Sequence, residues 1–279
     1  MTPGVSQHQH EVQSAQRFEF GKNWQRFLSV LDDRRIEAAE TSLRAMFEAN
    51  RLDGKTFLDV GSGSGLFSLA AARLGARVHS FDYDPDSVAC TRYLKTRYAP
   101  DASWVVEEGS VLDRQFLAGL GRFDLVYSWG VLHHTGAMWT ALENVATLVA
   151  DGGQLAIAIY NDQGPISRRW TAIKRLYNGA PRALRPVVLL PVVIVREARI
   201  MLGDVVHGRN PLEPWRTTGT RGMSKWHDWV DWIGGYPFEV AKPEAVFDFF
   251  RARDFSLTKL HTEGGSLGCN EFVFRKGHR

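Results

Sequence analysis

Short apolar runs alternate along residues 56–160 with stretches in which apolar side chains recur every three or four positions. The short runs are typical of strands buried on both faces, and the recurring positions are typical of helices with one packed face. In chain order, the pattern predicts strand 56–60, helix 66–74, strand 76–81, helix 85–98, strand 103–107, helix 113–120, strand 123–128, helix 137–150 and strand 154–160. This order predicts an α/β fold with a doubly wound and mostly parallel sheet.

The alternation stops after residue 160 and resumes near residue 243. The pattern in and beyond this gap predicts helices 165–178, 187–203, 224–233 and 243–252, followed by strands 255–262 and 269–275. Only a short glycine-containing turn separates the last two strands, so they must pair antiparallel. We therefore expect a seven-stranded sheet that ends in an antiparallel hairpin, with a mainly helical cap inserted before it.

The N-terminal residues are polar up to about position 16 and are predicted to form a mobile tail. Apolar residues from Ile36 to Phe47 then recur at helical spacing behind Asp32 and Asp33, which can cap a helix. We divide the chain into a tail with helices (1–52), a sheet core (53–160), a helical cap insertion (161–240) and a segment that completes the core sheet (241–279).

The composition places the chain among ordinary cytoplasmic proteins. Of its 279 residues, 44% are hydrophobic and 23% are charged, which is enough to build a full core. Two cysteines give neither a disulfide framework nor a metal cluster. The longest apolar run, 187–195, is interrupted by Pro191 and is far shorter than the ~20 residues that span a bilayer. A net charge of +3 does not by itself indicate nucleic-acid binding, and no pattern indicates an oligomeric state.

The segment from Thr56 to Gly65 carries the strongest functional signal. An apolar strand runs directly into glycines at 61, 63 and 65, and a helix is predicted to begin at Leu66. Glycines permit positive φ and let a ligand approach the main chain, and the first N–H groups of the helix point into the same pocket. A lone glycine-rich turn is weak evidence, but this one predicts a pocket for a nucleotide-like ligand.

Four further features distinguish between the kinds of enzyme that share such a turn. Asp59 lies inside the strand, where it can accept a hydrogen bond from a ligand ammonium group. Asp82 ends the second strand, where a carboxylate can hold a ribose diol. The segment 108–111 follows the third strand, where an apolar side chain can flank an adenine. The fourth strand leads into a loop with His133 and His134.

With the stretches LDVGSGSG, the acid in HSFDYDP, GSVLD and FDLVYSWGVLHH, the chain resembles the class I S-adenosylmethionine-dependent methyltransferases. The resemblance covers residues 55–160 and is closest to the ubiquinone-biosynthesis O-methyltransferases. It implies S-adenosyl-L-methionine as the cofactor and no metal. It also assigns contacts around the methionine moiety to Asp59, Gly61, Gly63 and Gly65, around the ribose to Asp82, around the adenine to Tyr83, Val111 and Ser110, and on the open side to Ser128 and Trp129. Ser110 stands where many relatives have an acid.

The two histidines are the candidate catalytic residues. Methyl transfer is an in-line displacement, so the protein aligns the acceptor and, when the acceptor is a hydroxyl, removes its proton. Histidine is a suitable base at neutral pH. His133 is favoured because Thr135, directly after His134, is placed to begin a helix. The alternative is structural, with one histidine shaping the loop and the other capping a helix.

The inserted cap supplies the candidate acceptor contacts. Twelve basic and six acidic side chains fall within residues 161–232, which suggests an anionic substrate, a phosphate-bearing carrier or a peripheral membrane contact, or merely a solvated basic surface. The candidate substrate residues are Tyr160, Asn161, Arg168, Arg221, His227 and Asp228. Trp226, Trp229, Val230 and Ile233 share one helix face, for which core packing is favoured over an aromatic substrate wall.

The predicted function is methylation of a small-molecule or carrier-linked acceptor, lipid-like or polar, at a hydroxyl oxygen. Three alternatives stay open. The basic cap would suit an RNA or protein methyltransferase, although no Asn/Asp-Pro-Pro-Tyr type motif follows the fourth strand and nucleic acid is not favoured. A nicotinamide-dependent oxidoreductase is disfavoured by Asp59 and by the terminal hairpin. A non-catalytic cofactor-binding module is the third.

Overall fold

The computed structural model describes residues 7–29, 31–210, 229, 232–264 and 268–278. The chain divides into two compact units. The larger unit comprises residues 19–164 and 239–279, and the smaller unit comprises residues 1–18 and 165–238. The two units are described separately below. The predicted division into four segments stays a prediction.

The larger unit contains seven strands and seven α-helices within its described residues. The helices are α2 (Gly21–Leu28), α3 (Asp33–Phe47), α4 (Leu66–Arg73), α5 (Pro85–Tyr98), α6 (Arg114–Leu120), α7 (Met138–Thr147) and α10 (Pro243–Arg251). The strands are β1 (Thr56–Val60), β2 (Arg77–Asp82), β3 (Trp104–Glu108), β4 (Phe123–Trp129), β5 (Val149–Tyr160), β6 (Phe255–His261) and β7 (Cys269–Lys276). A 3₁₀ turn at Leu132–His134 follows β4.

The strands form one sheet in the order β3-β2-β1-β4-β5-β7-β6. The first five strands pair in parallel, and β7 pairs antiparallel with both β5 and β6. This sheet confirms the predicted fold class, including the terminal hairpin. The strand order reverses direction between β1 and β4, so the carboxyl ends of these two strands flank the crevice in which ligands bind in such sheets.

The core occupies both faces of the sheet because neighbouring residues of the central strands point in opposite directions. Phe57 packs with Ile36 and Leu43 of α3 on one face. Leu58 packs on the other face with Leu142 of α7 and with Phe250 of α10. The continuous apolar runs in the central strands therefore bury both sides, as parallel strands covered by helices require.

The smaller unit contains α1 (Gln7–Gln13), α8 (Pro165–Gly179), a 3₁₀ turn at Arg182–Leu184 and α9 (Arg185–Val206) among its described residues. The predicted mobile tail is wrong for residues 7–13, which are helical. Residues 7–13 are mostly polar and show no apolar periodicity that would predict a helix. Polar contacts stabilise the C-terminal end of this helix. Ser14 donates to the His10 carbonyl, and Arg17 pairs with Glu11 at 2.8 Å.

Most of the predicted helix 224–233 lies outside the described residues. Of its apolar stripe, Trp229 and Ile233 are described and both are buried. The Trp229 indole donates a 2.9 Å hydrogen bond to the Glu197 carboxylate of α9. These two residues therefore pack in the interior, which agrees with the favoured interpretation of the stripe. Among the described helices, none has the length and apolar character needed to cross a membrane.

Candidate functional site

The loop between β1 and α4 brings the main chain into close contact with two neighbouring segments. Gly61 has φ of 78° and Gly65 has φ of 82°, a region that favours glycine. A Cβ on Gly61 would lie 2.4 Å from Val131 Cγ1, and a Cβ on Gly65 would lie 2.8 Å from the Cα of Thr91 in α5. Both glycines are therefore required by conformation and by packing together, which confirms that a tight backbone turn forms here.

Asp82 ties the glycine loop to the end of β2. Its carboxylate accepts a 2.8 Å hydrogen bond from the Gly63 N–H and a 2.9 Å hydrogen bond from the Asp84 N–H. Burial raises the pKa of Asp82 to about 6, against the lowering effect of these two N–H donors. Each carboxylate oxygen can accept more than one hydrogen bond, so the group retains capacity for ligand hydroxyls.

The neighbouring acid, Asp84, has a different role. It caps α5 by accepting a 2.9 Å hydrogen bond from the Asp86 N–H, and it also accepts a 2.7 Å hydrogen bond from the Gly21 N–H. The structure therefore assigns helix capping to Asp84, which leaves Asp82 at the loop. The second bond fixes the start of α2 beside the same region.

Helix α2 places an aromatic ring against the glycine loop. A Cβ on Gly63 would lie 3.0 Å from the indole of Trp24. Phe20, just before α2, lies with its ring centroid 5.0 Å from that of His134. The aromatic residues of this leading segment thus contact both the loop and His134.

Asp59 is the last acceptor in a buried row of hydrogen bonds that sequence reasoning missed. The Trp104 indole N–H donates to the Ser80 hydroxyl at 2.7 Å, the Ser80 and Ser68 hydroxyls lie 2.7 Å apart, and Ser68 donates to Asp59 at 2.5 Å. Ser68 uses its only proton in the hydrogen bond to Asp59, so the Ser80 hydroxyl, which accepts from the indole, donates its own proton to Ser68. Each hydrogen bond of the row is therefore donated toward Asp59, beginning at the Trp104 indole.

The environment of Asp59 makes its ionisation sensitive to pH near neutrality. Burial raises its pKa to about 7, the hydrogen bond from Ser68 opposes that rise, and the Asp82 carboxylate adds to it. No signal in the sequence links Ser68, Ser80 and Trp104, because they belong to three separate elements.

His133 is fully buried, and its ring is held by the strand beside it. The ring Nδ1 accepts a hydrogen bond from the Tyr160 N–H at 3.3 Å, and the two rings lie 4.0 Å apart between centroids. When Nδ1 accepts a hydrogen bond, the neutral imidazole carries its proton on Nε2. In this state His133 offers a donor rather than a base, which bears directly on its predicted catalytic role.

His134 retains 8% exposure, and its ring lies edge-on to Tyr160 with centroids 5.5 Å apart.

The histidine loop is anchored by Glu239, which sequence reasoning also missed. The Glu239 N–H donates to the His133 carbonyl at 3.0 Å, and its carboxylate accepts from the Met138 N–H at the start of α7 at 3.0 Å. Burial raises the pKa of Glu239.

Most of the remaining predicted cofactor residues have side chains that are buried or already engaged in contacts within the protein. The Ser128 hydroxyl is buried and donates to the Val60 carbonyl at 2.9 Å, and the Trp129 ring stacks on Tyr127. The Ser110 hydroxyl accepts from the Leu112 N–H at 3.2 Å. Val111 is buried in the core, whereas Tyr83 is partly exposed. Contacts from Ser128 and Ser110 to a ligand would therefore come mainly from the backbone.

The predicted substrate residues do not form one described cluster. Tyr160 lies against the histidines, and Asn161 accepts a 3.1 Å hydrogen bond from Asn270 of β7. Arg168 is exposed on α8 in the smaller unit. Arg221, His227 and Asp228 lie outside the described residues.

Residues 58–155, which contain the glycine loop, Asp59, Asp82 and both histidines, match the family model of a methyltransferase domain. This part of the chain is therefore a methyltransferase domain of the S-adenosylmethionine-dependent kind. This confirms the predicted resemblance and disfavours the nicotinamide-dependent alternative. The cofactor of this family is S-adenosylmethionine, in agreement with the predicted cofactor.

Curated relatives named as methyltransferases match part of the chain. The ubiquinone biosynthesis O-methyltransferase of Methylobacterium sp. (strain 4-46) is 31% identical over 110 residues, which cover 39% of this chain and 43% of the relative. The protein of the same name from Xanthomonas euvesicatoria pv. vesicatoria (strain 85-10) is 30% identical over 137 residues, 49% of this chain and 53% of the relative. The matched part spans about half the length of these relatives.

Among solved structures, the N-methyltransferase NodS from Bradyrhizobium japonicum WM9, in complex with S-adenosyl-L-homocysteine, aligns with a TM-score of 0.51 at 15% identity. The alignment covers 92% of this chain and 98% of NodS. At this identity the similarity establishes the fold, and it agrees with the mixed sheet described above.

Proposed function

We propose that this methyltransferase transfers a methyl group from S-adenosylmethionine to a small-molecule or carrier-linked acceptor at a hydroxyl oxygen. The observation that carries the proposal is the bond between Asp82 and the Gly63 N–H, because it joins the glycine loop to a carboxylate at the tip of β2. A ligand with a ribose and a zwitterionic end would contact the glycine loop and the Asp82 carboxylate at the same time.

The residues present fit this cofactor. At Gly61 and Gly65 the main chain makes a tight turn in which any Cβ would collide with Val131 or Thr91, so only glycines allow the loop to take this shape. Asp82 would hold the ribose hydroxyls with the lone pairs that Gly63 and Asp84 leave free. Asp59, which accepts a hydrogen bond from the Ser68 hydroxyl, would in its ionised form attract the methionine ammonium group at the same end of the sheet.

The leading segment would exclude water from the methionine end of the cofactor. Trp24 lies against Gly63, so the part of the ligand that approaches this glycine would meet an aromatic ring. Aromatic faces attract cations, and a sulfonium is a cation. When bound, S-adenosylmethionine supplies an activated methyl group, and the protein has to orient the acceptor and take its proton.

We assign the proton-accepting role to His134 and the positioning role to His133. Nδ1 of His133 accepts a hydrogen bond from the Tyr160 N–H, so the other ring nitrogen, Nε2, carries the proton and would orient an acceptor oxygen as a donor. His134 keeps some exposure and lies in the same loop against Tyr160 and Phe20. This assignment replaces the initial preference for His133 as the base.

The acceptor class is supported by the names of the curated relatives, which are O-methyltransferases of ubiquinone biosynthesis. Tyr160 and Asn161, at the end of β5, would contact the acceptor near the histidines. Arg168, Arg221, His227 and Asp228 of the insertion stay candidate contacts to an anionic or lipid-linked acceptor.

The experiment is a search for product with labelled donor. Purified protein, S-adenosylmethionine with a labelled methyl group and a panel of catechols, phenols and polyprenylated phenols are incubated, and methylated products are identified by mass spectrometry. The proposal predicts methyl ethers that disappear in the Asp82→Ala variant. Labelled RNA or protein as the only product would overturn the acceptor assignment, and donor binding without any product would favour a non-catalytic module.

A further inference from the structure

Helix α9 presents a row of aliphatic side chains to solvent. Val187, Leu190, Ile194, Leu202 and Val205 are spaced three to eight residues apart and are between 43% and 67% exposed. These spacings place them on one side of the helix over about 27 Å of its length. Exposed aliphatic residues are ordinary when isolated, but several on one face of a helix mark an interaction surface. We refer to these five residues as the aliphatic stripe.

The orientation of the stripe is fixed by the opposite side of the helix. Leu189, Val193 and Glu197 follow one another at intervals of four and are buried within the smaller unit. Glu197 accepts a 2.9 Å hydrogen bond from Trp229. Arg196 lies with its guanidinium carbon 5.9 Å from the Trp170 ring and 5.3 Å from the Trp229 ring. This buried side holds α9, so rotation of the helix cannot hide the stripe.

The charges around the stripe are almost all positive. Residues 165–210 contain nine basic and two acidic side chains. Glu197 and Lys174 are buried, and Asp204 pairs with Arg209 at 3.1 Å, which leaves seven basic side chains and no acidic one in this segment. Arg199 is exposed and neighbours the stripe, since it precedes Leu202 by three positions. The exposed bases also include Arg168, Arg169 and Arg175 of α8.

We propose that α9 docks on an anionic lipid surface, with the aliphatic stripe in the boundary between headgroups and acyl chains and the adjacent arginines against lipid phosphates. An apolar helical face with a basic flank is the arrangement by which helices lie in a membrane interface. Long arginine side chains can keep their charge at the headgroups while their stems lie along apolar surface.

The chemistry of the stripe favours lipid over a protein partner. Protein interfaces are enriched in aromatic residues and methionine and require matched hydrogen bonds. The five stripe residues are only valine, leucine and isoleucine, which offer no hydrogen bonds and no particular shape to match. Acyl chains require neither, and an anionic headgroup layer supplies the negative charge that complements the arginines. The inference does not depend on methyl transfer.

The test uses the full chain and vesicle co-sedimentation at low and high salt. Vesicles of phosphatidylcholine alone are compared with vesicles that contain equal amounts of phosphatidylcholine and phosphatidylglycerol. The proposal predicts binding to the anionic vesicles that weakens as salt increases. The variant Val187→Ser/Leu202→Gln should lose binding by about tenfold or more, because it removes two of the apolar anchors. Arg199→Gln should weaken it about fivefold at low salt.

The matched control is Val105→Ser/Leu260→Gln, which makes the same two changes at exposed positions of β3 and β6. It should bind the vesicles like the parent. No binding of the parent to anionic vesicles, or equal loss in both double variants, would overturn the proposal. It would also be overturned if the parent were a dimer in solution that the stripe variant converts to a monomer without loss of vesicle binding, because a second copy would then be the occupant.

Discussion

The Ser68 hydroxyl donates a 2.5 Å hydrogen bond to the Asp59 carboxylate, at the end of a row of donors that begins with the Trp104 indole. The row crosses from β3 through β2 to α4 and β1, so it links the first turn after the glycine loop to the interior of the sheet. It supplies a buried carboxylate with a directed donor at the site where we propose that a ligand ammonium binds.

We predict that Trp104→Phe weakens S-adenosylhomocysteine binding about fivefold at pH 7 through the loss of one hydrogen-bond donor. Without that donor the pKa of Asp59, already raised to about 7 by burial, should rise further and leave more of the carboxyl protonated. The difference between variant and parent should shrink at pH 9, where Asp59 is ionised in both. Calorimetric titrations across this pH range measure the effect.

The control for Trp104→Phe is the same change in an Asp59→Asn background. If the indole acts through the Asp59 charge, Trp104→Phe should weaken binding little further in a protein that already carries Asp59→Asn. Ser80→Ala interrupts the same row with a smaller loss of volume and should reproduce the pH dependence. A fivefold loss that is equal at all pH values would show that Trp104 contributes only packing.

We predict that Asp59→Asn stabilises the ligand-free protein at pH 8 and leaves its stability unchanged near pH 4. Folding raises the pKa of Asp59 above its unfolded value, so the folded state binds the proton more tightly. The contribution of Asp59 to the free energy of unfolding is therefore greatest when it is protonated and is lost as pH rises toward about 7. Thermal unfolding of both proteins at pH 4 to 8 checks this, and a less stable variant at pH 8 would contradict it.

We predict that Gly61→Ala costs more stability than Gly54→Ala. Both glycines have positive φ, 78° and 74°, so both substitutions carry a conformational cost of about 1 kcal/mol. Only the Cβ at position 61 meets another side chain, 2.4 Å from Val131 Cγ1, whereas position 54 is open. Denaturant unfolding should give an excess loss of about 1–3 kcal/mol at position 61. Equal losses would mean that the loop moves freely away from Val131.

We predict that His134→Ala lowers kcat for the acceptor about a hundredfold with little change in KM for the donor, as expected for a lost general base. His133→Ala should lower stability by about 1–3 kcal/mol, because the Tyr160 N–H loses its acceptor. Turnover and thermal unfolding are measured on both variants. Full turnover in His134→Ala, together with lost turnover in a stable His133→Ala protein, would return the base to His133.

The fold was accessible from the sequence because each central element carries a strong local signal. The alternation of apolar runs and helical periodicity predicted α5 over 85–98 to the residue, and the glycines predicted the loop. Local signals failed where distant residues decide the structure. Strand β5 begins at Val149 rather than at 154, because Val149 pairs with Phe123 although glycines at 152 and 153 interrupt its apolar pattern.

The site was predictable only in part for the same reason. Asp59 and Asp82 stand at strand positions that the pattern reveals. The tautomer of His133 depends on an amide 27 residues away, and the position of its loop depends on Glu239, about a hundred residues away in the chain. Spacing along the sequence carries no information about such bonds, so the preference between the two histidines required the structure.

Calorimetric titration of S-adenosylhomocysteine into the parent protein and into Asp82→Ala tests the central claim most directly. The account predicts one site per chain in the parent and an affinity reduced by at least about a hundredfold in the variant, with thermal unfolding showing that the variant is folded. No heat of binding in the parent, or equal affinity in a folded Asp82→Ala protein, would contradict the assignment of the glycine loop and Asp82 to the cofactor.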